Sequence, residues 1–89
     1  MNAIITVVGD DKVGIIARVS QFLASHNINI EDISQTILSG NFVMMMMVAL
    51  EKSDIPIASL RAELEELGQS LRVDIHIMHE RVFSAMHRI

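Results

Sequence analysis

The run Phe42–Leu50, Phe-Val-Met-Met-Met-Met-Val-Ala-Leu, contains no polar side chain. A helix crossing a bilayer needs about 20 apolar residues, so this run is too short to span one. Between Ser39-Gly40-Asn41 and Glu51-Lys52 it reads as a β-strand apolar on both faces. One face carries Phe42, Met44, Met46 and Val48; the other carries Val43, Met45, Met47 and Ala49. Any fold must place this strand inside a sheet and cover it from both sides. A chain of 89 residues, 51% of them hydrophobic, has little interior in which to do so. A second copy or a ligand is therefore the expected cover on one side. Methionine suits such a surface, because its flexible thioether repacks around different shapes. The chain has no cysteine, so neither a disulfide nor a thiolate metal site can substitute for a partner.

The rest of the chain alternates short strands with amphipathic segments. Ala3–Val8 is β-branched and apolar, a central strand. Gly9-Asp10-Asp11-Lys12 breaks it, and Asp11 can N-cap a helix from about Val13 to His26. Ile16, Ala17, Ser20, Leu23 and Ala24 give that helix an apolar stripe, widened by Val19 and Phe22. Ile28–Ile37 is a second strand whose apolar residues change parity, so a bulge is expected near Glu31-Asp32. Ser39-Gly40-Asn41 is a hairpin turn into the methionine strand. Ser53 or Asp54 is placed to cap a second helix with Pro56 in its first turn. Ile57, Leu60, Leu64 and Leu67 form its buried stripe, and Gly68 reads as its C′ stop. Leu71–Met78 alternates as a fourth strand, and residues 80–89 form a tail with a short helix.

The order β-α-β-β-α-β predicts a single α+β domain over residues 1–89. Its expected form is a ferredoxin-like sandwich, a four-stranded antiparallel sheet with two helices on one face. Such a fold leaves the second face of the methionine strand bare, which repeats the expectation of a homodimer.

The segment Gly9-Asp10-Asp11-Lys12-Val13-Gly14-Ile15 joins the first strand to the first helix. Free N–H groups and the dipole at a helix start attract a carboxylate. Asp10 or Asp11 can receive an ammonium. An amino acid carries both charges, so the loop reads as an amino-acid cradle. From composition alone the plain cap and turn is the favoured reading, with Asp capping the helix and Gly9 permitting a tight bend.

Gly-Asp-Asp-Lys-Val-Gly-Ile-Ile-Ala-Arg-Val, followed by Leu-Ala-Ser-His-Asn-Ile-Asn-Ile-Glu-Asp-Ile-Ser-Gln-Thr, resembles the ACT domain. Met78-His79-Glu80 and the closing Phe-Ser-Ala-Met-His-Arg-Ile resemble a subgroup of standalone bacterial ACT proteins, similar to the domains of the glycine cleavage system repressor. The resemblance implies a non-catalytic regulatory domain that binds a small molecule, an amino acid above all, at a homodimer interface. By position it implies ligand contacts at Asp10, Asp11, Lys12, Val13, Gly14 and Ile15, with Asn27, Asn29 and Ile30 opposite. It implies no cofactor. An unidentified protein partner is expected to read the output, because no effector segment is attached. The alternative is a ligand-free interaction module, in which Phe83, Met86 and Ile89 present an apolar face to the chain's own sheet or to another protein.

Other chemistries fit poorly. A net charge of −4 and 3% aromatic residues argue against nucleic acid, which is bound through cations and stacking rings. Acylphosphatase-type catalysis needs an Arg in the first loop, where this chain has Asp10 and Asp11; Arg18 lies within the helix. No Ser has a nearby base and orienting acid. His76, His79 and His87 cluster with Glu80 in sequence. In an extended strand, however, His76 and His79 face opposite ways, and no metal site is predicted. With no signal peptide or membrane span in view, the expected location is the cytoplasm.

Overall fold

Strands that pair in a sheet must agree in parity, and the computed structural model, which describes residues 1–10 and 13–86, shows how this chain arranges that agreement. Its elements are β1 (Asn2–Gly9), α1 (Ile15–Ser25), β2 (Asn29–Leu38), β3 (Asn41–Ala49), α2 (Ile57–Leu71), β4 (Asp74–His79) and α3 (Glu80–Met86). The sheet is antiparallel throughout, in the order β2-β3-β1-β4. The ferredoxin-like order is therefore present, with a third helix appended. No described helix is long and apolar enough to cross a membrane.

The methionine strand sits inside the sheet, between β1 and β2. Phe42, Met44, Met46 and Val48 are at most 2% exposed and join Ala3, Ile5 and Val7 of β1 with Ile75 and Ile77 of β4 in one core. The helices close this face through Ile15, Val19 and Leu23 of α1 and Leu60 and Leu64 of α2. Full burial of side chains this size is worth about 1.5–3 kcal/mol each before conformational entropy is subtracted. The α1 stripe is rotated from the sequence reading. Ile15, Val19 and Leu23 are buried while Ala17 and Ala24 are exposed, because the larger side chains take the core.

The opposite face carries Ile4, Met45 and Met47. Ile4 is nonetheless only 4% exposed. Phe83 of α3 shares a small apolar cleft with these three residues, so the chain's own tail covers part of the bare face. Val43, Met45, Met47 and Ala49 remain half-buried. Met86 lies at the end of α3, and Ile89 lies outside the described residues.

The register shifts between Ile30 and Asp32, with Glu31 as the extra residue. This is the bulge that the parity change called for. β2 is an edge strand, and its residues from Glu31 to Leu38 are all exposed. Ile37 is 61% exposed and Leu38 66%.

Helix ends differ from the local signals. α1 begins after Gly14, at φ 74°, with no side-chain cap; Asp11 lies outside the described residues. The α2 N-cap is Pro56, without a side-chain bond. Ser53 instead bonds the Ile55 N–H at 3.3 Å in a tight turn. Gly68 lies within α2, and the helix ends at Arg72, φ 58° and ψ 43°. There Val73 N–H donates to Gly68 O (2.9 Å) and Arg72 N–H to Gln69 O (3.3 Å), the paired bonds of a Schellman end. Its left-handed position normally holds Gly, and an L-residue there costs about 1–2 kcal/mol. Gly68 and Gly9 serve a different need. A Cβ on Gly68 would lie 2.8 Å from Val73 O, and one on Gly9 would lie 2.5 Å from Val73 Cγ1. Both glycines make room for Val73, so close packing rather than a turn explains Gly9.

Candidate functional site

The cradle loop lies at the β1 C-terminal end of the sheet. Gly14 is exposed there, and among the described residues nothing lies within 4 Å of where a Cβ would stand. The left-handed backbone of Gly14 turns the chain into α1, and as the N-cap residue it makes no side-chain cap bond. Val13 is 83% exposed, whereas Ile15 is 3% exposed and belongs to the core. Lys12, like Asp11, falls outside the described residues. Asp10 is exposed at the rim of a cleft of about 540 Å³, which it shares with Asn41, Gln69, Arg72 and Asp74.

The second group of expected contacts sits at the other end. Asn27 closes α1 in a left-handed conformation, φ 58°. Asn27 and Asn29 are exposed and Ile30 is half-buried. Both Asn line a cleft of about 790 Å³ with Ala24, Ile28, Glu31, Ala49, Glu51 and Lys52. Strand register measures the separation of the two groups. Asn29 is level with Ala49 and Asn2, whereas Gly9 is level with Phe42. At about 3.3 Å per residue the ends lie on the order of 20 Å apart. Within one chain, the described residues of 10–15 and residues 27–30 do not meet.

A histidine that the motif reading passed over stands beside the second cleft. His26 Nδ1 is 2.7 Å from Asp54 Oδ1, and its Nε2 is 3.3 Å from Glu63 Oε1. The Asp54 N–H also donates to His26 O at 3.2 Å, and the Phe22 ring meets the imidazole edge-on. The hydrogen bond to Asp54 raises the His26 pKa above the usual 6.5, aided by the charges of Asp54 and Glu63 and opposed by partial burial. His79 is engaged otherwise, its Nδ1 accepting from Arg81 N–H at 3.0 Å. Among the described residues no three His, Asp or Glu side chains gather as a metal-binding group. His87 lies outside them.

The ACT domain family model matches residues 2–78. A UPF0237 protein of Methanopyrus kandleri is 49% identical over 88 residues, which cover 99% of this chain and 98% of that one. Among solved structures, the ACT domain protein from Streptococcus pneumoniae matches with a TM-score of 0.84 at 47% identity, covering 93% of each chain. A candidate glycine cleavage system transcriptional repressor matches with a TM-score of 0.70 at 25% identity, over 86% of this chain and 44% of that chain. The likeness spans the strands and helices that hold both clefts, and the chain belongs to the ACT domain family.

Proposed function

We propose that the chain is a regulatory, non-catalytic ACT domain of the cytoplasm that works as a homodimer and binds an amino acid between its two copies. ACT domains are regulatory folds that commonly bind small molecules. The observation that carries the reading is the placement of the two expected contact groups at opposite ends of one sheet. A two-fold axis that pairs β2 with β2 antiparallel sets the residue 27–30 end of one chain beside the residue 9–14 end of the other. β2 favours such pairing: it is a long edge with exposed Ile37 and Leu38, and no Lys, Arg or Pro guards it. In the joined cleft, Asp10 or Asp11 receives the ammonium and the main-chain N–H groups at the start of α1 receive the carboxylate, with Lys12, Val13 and Gly14 shaping the wall. Asn27 and Asn29 face it across the interface with amides that both donate and accept. Ile15 and Ile30 support the two walls from beneath. Ligand binding then favours one dimer arrangement, and a separate protein reads the change.

The test is a thermal-shift screen against the twenty amino acids, run beside light scattering, on wild type and Ile37→Lys. The expected result is a dimer with a selective amino-acid response, and a folded monomer that has lost it. A ligand response that survives in the monomer would overturn the two-chain site.

A further inference from the structure

Arg72 occupies the left-handed end position of α2, where glycine is the easy residue. Its main-chain N–H donates to Gln69 O at 3.3 Å and the next one, that of Val73, to Gly68 O at 2.9 Å. Gly68 and Gly9 leave room for Val73 where a Cβ would clash. Arg72 is exposed and lines the cleft that Asp10 rims. Asp74, Asn41 and Gln69 complete that cleft. Among the described residues, neither Arg72 nor Asp10 nor Asp74 forms an ion pair. One cation and two carboxylates thus face the same space without neutralising one another. A bare anion would meet two carboxylates there, and a bare cation would meet the guanidinium. A molecule bearing both an ammonium and a carboxylate satisfies all three.

We propose that Arg72 is the carboxylate anchor of an α-amino-acid site whose ammonium is held by Asp10, with Asp74 beside it. The planar guanidinium grips a carboxylate with two parallel N–H donors, a geometry that lysine lacks. The carboxamides of Asn41 and Gln69 supply further donors and acceptors. This site rests on the reading that Asp10 takes an amino acid, and adds a charged anchor from the same chain to the main-chain N–H groups of α1. The left-handed strain at Arg72 then has a functional counterpart, because the backbone conformation aims the side chain.

The experiment titrates wild type, Arg72→Gly, Arg72→Lys and Asp10→Asn with each amino acid that scores in the thermal screen, and with its α-carboxamide. Arg72→Gly is expected to raise the ligand-free melting temperature by relieving strain, yet to weaken amino-acid binding about tenfold or more. Arg72→Lys recovers part of that loss. The α-carboxamide is expected to bind wild type and Arg72→Gly alike. If Arg72→Gly binds the amino acid with wild-type affinity while Asp10→Asn does not, Arg72 is no anchor and the amino-acid reading stands without it. If no amino acid titrates with wild type, the reading of the loop and the role of Arg72 fall together.

Discussion

His26 Nδ1 lies 2.7 Å from Asp54 Oδ1 while its other ring nitrogen faces Glu63 at 3.3 Å. One imidazole thereby ties the end of α1 to the β3–α2 connection and to α2. The charged form is the one that these partners favour, so the folded pKa stands above the ordinary 6.5. The resulting stability is full below about pH 6.5 and fades as pH rises through the raised folded value. Melting temperatures measured from about pH 5.5 to about pH 9 are expected to decline over that window for wild type. Asp54→Asn, which removes the main cause of the shift, should flatten the decline. An identical slope in the variant would mean that another group sets it.

Val73 couples β4 to two glycines by different atoms, and paired substitutions separate them. Gly9→Ala meets the Val73 Cγ1 methyl and should cost about 1–3 kcal/mol, as overpacked sites do. Val73→Ala removes that methyl and should restore part of the loss. Gly68→Ala meets the Val73 carbonyl oxygen, which no side-chain change removes. Its clash opposes a helix-propensity gain of about 1 kcal/mol. The net effect is expected to be a loss, with no rescue by Val73→Ala. Denaturant unfolding of the three single and two double variants against wild type checks both claims; equal rescue of the two would refute the assignment.

Phe83 shares its cleft with Ile4, Met45 and Met47 on the sheet face away from the large helices. Phe83→Ala should cost roughly 1 kcal/mol, below the value for a fully buried ring because Phe83 is only half-buried. Amide exchange in α3 should quicken to a rate near that of an unstructured chain. If α3 already exchanges freely in the isolated wild-type protein, the tail gains order elsewhere, and the interaction-module reading moves ahead.

Short apolar runs placed β1 and β3, alternation placed β4, apolar stripes placed both long helices, and the parity change in β2 located the bulge near Glu31. Those signals are local and repeated, so neighbouring residues vote together. Helix ends rest on single residues, and there the local rules misled. Gly68 looked like a stop because glycine usually ends helices, yet Val73 needed its missing side chain inside the helix. Asp10, Asn27 and Asn29 were legible as loop polar groups, but their separation across the sheet depends on strand register. His26 escaped notice because its partners stand 28 and 37 positions along the chain. Arg72 escaped because nothing in residue preferences puts an arginine in a left-handed cap.

Under the two-chain site proposed above, the opposed placement of the two expected contact groups also has a genetic reading. A chain damaged at the Gly14 end still offers an intact Asn29 end, and a chain damaged at Asn29 still offers an intact loop. Mixed together, two such inactive proteins would form heterodimers in which one cleft combines both defects and the other combines none. Each heterodimer regains one of the two sites, so an equal mixture that pairs at random recovers about a quarter of the wild-type sites by complementation, a recovery that a cleft contained within one chain can never produce.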